Sequence, residues 1–151
     1  MIKMVILDMA GTTIDEANAV YICMVNALAM HQIDTNLDFI LLHAAGKDKK
    51  SAIRDVHQKL LNIIPDDTTV NAIYQSFENL LTDTYEKMPL TLMNGVSELL
   101  SFLKSHGIIS VFNTGYPEKT ARTILKKVGL ETGLNRLFGY VGSGITFSAS
   151  S

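Results

Sequence analysis

The chain has 151 residues, room for one domain or one domain with an insertion; 47% hydrophobic and 19% charged residues describe a chain that packs a core. A net charge of −2 gives no attraction to nucleic acid or to an anionic membrane, so neither is expected as a partner. The lone Cys23 excludes an internal disulfide framework and a Cys-rich metal site. No apolar run approaches spanning length and the first residues lack a signal-peptide pattern, so a reducing cytoplasm is the expected location.

The first element is the apolar run Met4-Val5-Ile6-Leu7, short and β-branched enough to predict a buried strand. It delivers Asp8-Met9-Ala10-Gly11-Thr12-Thr13, a carboxylate followed by a glycine turn and two hydroxyls. Two readings of this stretch stand side by side. One is a strand-ending Asp that caps a turn. The other is an anion site, because ligands of open α/β sheets bind in the crevice beyond the strand C-termini.

Helical periodicity then takes over. Ala17, Val20, Tyr21, Met24, Val25 and Leu28 share one face. Leu37, Ile40, Leu41 and Ala44 predict a shorter helix, with Thr35 or Asn36 as its cap. Ile53, Val56, Leu60, Leu61 and Ile64 mark a third helix that Pro65 closes. Asp66 and Asp67 open a longer one, with Val70, Ile73, Tyr74, Phe77, Leu80 and Leu81 on its stripe. From Glu16 to about Lys87 there is no strand signal, so residues 16–90 are expected to form an all-α cap.

The α/β alternation resumes beyond that point. Asn94 is expected to cap a helix bearing Val96, Leu99, Leu100 and Leu103, stopped by His106-Gly107. Ile108 to Phe112 predicts a second strand, which delivers Asn113-Thr114-Gly115-Tyr116. Pro117 suits the first position of the next helix, with Ala121, Ile124, Leu125 and Val128 buried and Gly129 as its stop. Phe138 to Val141 starts a third strand, and Gly142 to Ser151 is expected to be a frayed polar tail. The order predicts an α/β, Rossmann-like parallel sheet with right-handed crossovers, built from residues 1–15 and 91–151. Asp8 and Asn113-Thr114 then end neighbouring strands, which favours the anion site over the turn cap.

With both strand ends in view, the chain resembles the haloacid dehalogenase (HAD) superfamily of hydrolases, and within it phosphonoacetaldehyde hydrolase (phosphonatase) and its relatives. Four stretches carry the likeness, in family order over roughly residues 1 to 140: Asp8 to Thr13, Gly46-Lys47-Asp48-Lys49, Met93-Asn94-Gly95-Val96, and Asn113 to Tyr116. The resemblance implies that Asp8 is the nucleophile and a Mg²⁺ ligand, and that the Ala10 main-chain carbonyl is a second ligand. It implies that Thr12, Asn113, Thr114 and Gly115 bind the phosphoryl group. The chemistry agrees, since a carboxylate ionised near neutrality attacks phosphorus, and a divalent cation offsets the repulsion between two anions. The expected substrate is a small phosphorylated or phosphonate molecule.

Ala10 departs from ordinary phosphatases of this superfamily, which carry there an Asp that protonates the leaving alkoxide. Ala cannot hold a proton, whereas carbon–phosphorus cleavage needs an electron sink instead. In phosphonatase a cap lysine supplies it as a Schiff base with the substrate aldehyde, and by register from Gly46 the matching residue is Lys49. Lys47 and Lys50 favour its neutral amine and Asp48 opposes it. The competing reading of Lys47-Asp48-Lys49-Lys50 is a solvated charge run before a helix. His43-Ala44-Ala45 differs from the Arg-x-Pro-Met of phosphonatases. His43 itself is expected as a polar helix-end residue and Cys23 as packing.

The resemblance also calls for a later basic residue and an acidic pair. After Asp83 the chain has no Asp, its later acids being Glu86, Glu98, Glu118 and Glu131, and Lys126 and Lys127 fall near a helix end. The core is therefore expected to be incomplete and C-terminally truncated, with its first strand at an edge that a homodimer could cover. Two functions remain open: a phosphonatase-like hydrolase, impaired in this short form, or a catalytically inactive remnant that binds phosphate or a partner.

Overall fold

The computed structural model describes residues 2–116 and 118–130, together with the backbone of 134–141 and 144–149. It divides into two compact units, Met1–Ala17 with Tyr85–Ser151, and Asn18–Thr84.

In the first unit, β1 (Met4–Asp8) pairs in parallel with β4 (Ile109–Thr114), in a register that sets Met4 opposite Ile109 and Asp8 opposite Asn113. Between them in sequence lie β2 (Ile14–Asp15), β3 (Thr91–Leu92) and α5 (Val96–Ser105). β2 and β3 form a separate antiparallel pair, Ile14 opposite Leu92. Strands of this length carry no alternation, so the sequence gives no sign of them. Val111 and Phe112 of β4 are fully buried, as are Ala121, Ile124 and Leu125 of α6 (Glu118–Lys127). The Pro117 expectation lies outside the described residues.

The end of the chain departs from the sequence expectation. Residues Gly144–Ala149 form β6, which pairs antiparallel with β4 on one side and with β5 (Leu134–Val141) on the other. The sheet order is β1-β4-β6-β5, so it is mixed rather than parallel throughout, and the third strand runs longer than Phe138 to Val141. A small, polar composition suggested fraying, yet Ile145, Phe147 and Ala149 alternate with Thr146 and Ser148, the period of a strand. Among the described strands β1 is at an edge of this sheet, with Ile2 and Ile6 exposed.

The helix ends correct three further expectations. α5 begins after Gly95, whose φ of 84° is left-handed, and no side chain caps it, so Asn94 is not its cap. In the second unit, α3 (Lys49–Leu61) is closed by Asn62 in the left-handed conformation, three residues before Pro65. α2 (Leu37–Ala44) is capped by Asn36, whose Oδ1 accepts from Phe39 N at 2.9 Å, and not by Thr35. α1 (Ala19–Met30) and α4 (Asp67–Lys87) complete the helices, with Asp66 capping α4 by accepting from Thr69 N at 2.7 Å.

The second unit is helical throughout, with Met24, Leu28, Ile40, Ile53 and Ile73 fully buried. Cys23 is buried in packing, 3.4 Å from the Thr84 hydroxyl. His43 is in the last turn of α2, its ring 4.4 Å from that of Phe39. Among the described residues no helix is long and apolar enough to cross a membrane.

Phe112 is 1% exposed at the centre of β4, so Phe112→Ala should cost about 3–5 kcal/mol through lost burial and the cavity left behind. Urea denaturation followed by circular dichroism checks this.

Candidate functional site

β1 ends at an exposed Asp8, and the turn that follows is tied down by its own backbone. The N–H groups of Thr12, Thr13 and Ile14 all donate to the Met9 carbonyl, at 3.3, 3.1 and 2.9 Å. Gly11 takes a left-handed φ of 68° to make this possible, and its N–H returns to the Ile14 carbonyl at 2.9 Å. Thr13 Oγ1 donates to the Asp8 carbonyl at 2.8 Å and Thr12 Oγ1 to Asp8 Oδ2 at 3.2 Å. The two hydroxyls of the motif therefore hold the Asp8 main chain and its carboxylate, respectively.

The β1/β4 register brings Asn113 beside Asp8, with Thr114 and Gly115 following. Thr114 is buried, and its Oγ1 accepts from Tyr116 N at 3.3 Å, a local turn contact of the kind hydroxyl residues make. A methyl group added at Gly11 or at Gly115 would meet nothing within 4 Å, so open space adjoins both turns. Asp8, Ala10, Thr12, Asn113, Thr114 and Gly115 thus gather at the two strand ends of one unit. Lys49 belongs to the other unit, at the first position of α3.

Around Lys49 the charge run is organised by its neighbours. Asp48 caps α3, accepting from Ser51 N at 2.8 Å, and the Ser51 hydrogen bond holds its carboxyl below the usual carboxylate range. Lys47 pairs with Asp55 at 2.6 Å and Lys50 donates to Asn71 at 2.8 Å. Lys49 Nζ lies 5.6 Å from the centre of the Tyr21 ring, within cation–π range.

No group of three or more His, Cys, Asp or Glu among the described residues could hold a metal ion. The donor set at the strand end is instead one exposed carboxylate, Asp8, and the main-chain carbonyl of Ala10, beside the open space at Gly11. Two hard oxygens suit Mg²⁺, which keeps most of its waters and needs few protein ligands.

A second polar cluster escaped the sequence reading. Glu16 is 5% exposed, and its Oε2 accepts from the Tyr85 hydroxyl. The Tyr85 and Tyr116 hydroxyls are 2.6 Å apart, and Tyr116 lies 3.5 Å from the same carboxylate oxygen. Ala10, Glu16, Tyr85 and Tyr116 line one small cleft with no room for a water molecule, so these oxygens satisfy one another. Burial pushes both phenols far above the ordinary tyrosine range, and the Glu16 carboxylate adds to the shift. Asp8 adds to it at Tyr116 as well. The one signal in the sequence was the stripe Phe77, Leu81, Tyr85, which continues the apolar face of α4 by one step of four.

The fold has known counterparts. A predicted phosphoglycolate phosphatase from Haemophilus somnus 129PT superposes with a TM-score of 0.70 at 17% identity, over 86% of this chain and 59% of that one. A HAD hydrolase of family IA, variant 3, from Entamoeba histolytica gives 0.70 at 22% identity, over 94% of this chain and 64% of that one. A mutant of CbbY from Rhodobacter sphaeroides, in complex with xylulose-(1,5)bisphosphate, gives 0.64 at 15% identity, over 85% of this chain and 58% of that one. At these identities the likeness establishes the fold alone, an α/β core with helices inserted in the sequence. The chain spans about three fifths of the length of these structures. No family model and no curated protein matches the sequence.

Because the folded state holds the Tyr85 and Tyr116 phenols above their usual range, only the unfolded chain releases those protons as pH rises past about 10. Their contribution is complete below that pH and is lost above it, by up to about 1.4 kcal/mol per pH unit for each phenol. Denaturation midpoints between pH 8 and 12 should fall accordingly, and Tyr85→Phe should flatten the decline.

Proposed function

We propose that the chain is a Mg²⁺-dependent hydrolase of the HAD type, acting on a small phosphorylated or phosphonate substrate through an aspartyl-phosphate at Asp8. The observation that carries this reading is the parallel register pairing Asp8 with Asn113, beside Thr114 and two glycines that border open space. A carboxylate oxygen of Asp8 attacks phosphorus in line and the bond to the leaving group breaks. Thr12 donates to the other carboxylate oxygen and so fixes the attacking rotamer. Asn113, the Thr114 hydroxyl and the Gly115 N–H bind the phosphoryl oxygens, at the strand end where such ligands bind. Asp8 and the Ala10 carbonyl would hold the Mg²⁺, which neutralises charge between nucleophile and phosphoryl group when bound.

Ala10 supports carbon–phosphorus cleavage over ester hydrolysis, since it cannot protonate an alkoxide. In that case Lys49 condenses with the substrate aldehyde, releasing water, and the iminium accepts the electron pair left when the carbon–phosphorus bond breaks. Asp48 caps α3 directly before Lys49, and its carboxylate opposes the neutral amine that this step uses, while Lys47 and Lys50 are engaged by Asp55 and Asn71. A buried Cys23 thiol fits a reducing, cytoplasmic setting. The second reading is an inactive phosphate-binding module, in which the strand-end turn holds an anion without turnover.

Slow Mg²⁺-dependent turnover of phosphonoacetaldehyde or p-nitrophenyl phosphate is expected, falling at least about a thousandfold in Asp8→Asn. Turnover that survives Asp8→Asn would remove Asp8 as nucleophile, and orthophosphate binding without turnover would select the inactive module. Borohydride in the presence of phosphonoacetaldehyde should trap an adduct, seen by mass spectrometry and absent in Lys49→Arg. Trapping that persists in Lys49→Arg would exclude the lysine.

A further inference from the structure

The Glu16 cluster joins three points that are far apart in sequence yet belong to one unit. Glu16 lies at the last residues before the chain leaves that unit, Tyr85 is the residue at which it returns, and Tyr116 follows the β4 strand end. Tyr85 donates to Glu16, so its own oxygen can accept from the Tyr116 hydroxyl 2.6 Å away, which gives a directed chain from Tyr116 through Tyr85 to Glu16. Both phenols stay protonated through the neutral range, so the chain keeps its direction there. Glu16 is in turn anchored by β2, whose Ile14 and Asp15 are paired with β3. At the other end, Tyr116 reaches the strand-end turn through its backbone, donating its N–H to Thr114 Oγ1 at 3.3 Å.

We infer that Glu16 and Tyr85 are positioning residues for the Thr114-Gly115 turn, acting through Tyr116 to hold it in the conformation that receives an anion. This rests on the reading of that turn as a phosphate cradle. A phenol has one rigid ring and two torsions, so anchoring its hydroxyl at the far end fixes the backbone from which it springs. Neither Glu16 nor Tyr85 needs to touch the anion for this to work. Removal of either leaves a buried partner unsatisfied and the Tyr116 ring free to take another rotamer, and Thr114 loses its defined N–H donor.

The test is orthophosphate binding by the full 151-residue chain, measured by calorimetry well below each variant's melting temperature, with melting curves recorded in parallel. Tyr85→Phe and Glu16→Gln should each weaken orthophosphate binding about tenfold, the loss expected for one misplaced buried hydrogen bond. Leu103→Ala, buried in α5 of the same unit, should lower the melting temperature without changing orthophosphate affinity. Tyr85→Phe removes a single oxygen and is the variant least prone to misfold, so the result does not depend on Glu16→Gln being soluble. Wild-type binding that Tyr85→Phe leaves unchanged overturns the positioning role and leaves the phosphate cradle standing. Equal weakening in Leu103→Ala overturns it too, by reducing the effect to general destabilisation. No orthophosphate binding by the wild-type chain overturns both the cradle and the role built on it.

Discussion

Parallel pairing of Met4–Asp8 with Ile109–Asn113 makes two strands, separated by about a hundred residues of chain, end at the same level. In a parallel pair the C-terminal ends point the same way, so whatever polar residues follow each strand must share one rim of the sheet. An antiparallel arrangement of the same two strands would have sent Asp8 and Thr114 to opposite rims. Every chemical role proposed for Thr12, Asn113, Thr114 and Gly115 depends on that direction. Val111 and Phe112 point to opposite faces of the sheet and both are buried, so β4 is covered on either side.

The parts of the fold that were legible in the sequence were those with strong periodicity. Met4 to Leu7 and Ile108 to Phe112 read as strands because they are short, apolar and β-branched, and the four inserted helices read as helices because their stripes run for several turns. The adjacency of Asp8 and Asn113 followed from topology alone. Composition misled where periodicity was overlooked. The stretch from Gly144 is small and polar in content, but Ile145, Phe147 and Ala149 fall on alternate positions, and it pairs between β4 and β5. Helix ends were less legible because several residue types compete for them. At Gly95 a left-handed glycine starts α5 without any side-chain cap, although Asn94 stood beside it as the better capping residue.

Glu16 was hidden for a different reason. A carboxylate just after a two-residue strand looks like surface, and nothing near it in sequence marks it as buried. Its partners arrive from α4 and from the turn after β4, so its environment is created only when the chain closes on itself. Buried polar clusters built from distant residues carry no local pattern, whereas Asp8 to Thr13 carries its pattern in six consecutive positions. That difference also explains why the motif conveyed chemistry and gave no hint of what supports it.

Ala10 and Glu16 line the same small cleft, and the contrast between them bears on how this rim is built. With a carboxyl at position 10 as well as at Asp8 and Glu16, three acids would crowd one end of the sheet, and like charges held close raise one another's cost. Alanine at that position removes the middle charge. The remaining two carboxylates are then managed separately: Asp8 is exposed and accepts from Thr12, while Glu16 is buried and accepts from Tyr85. Exposure leaves the first open to solvent, as the proposed role of Asp8 requires. Burial against a phenol that stays protonated gives the second a fixed donor in Tyr85, which suits a structural anchor better than a group that must exchange protons during a reaction.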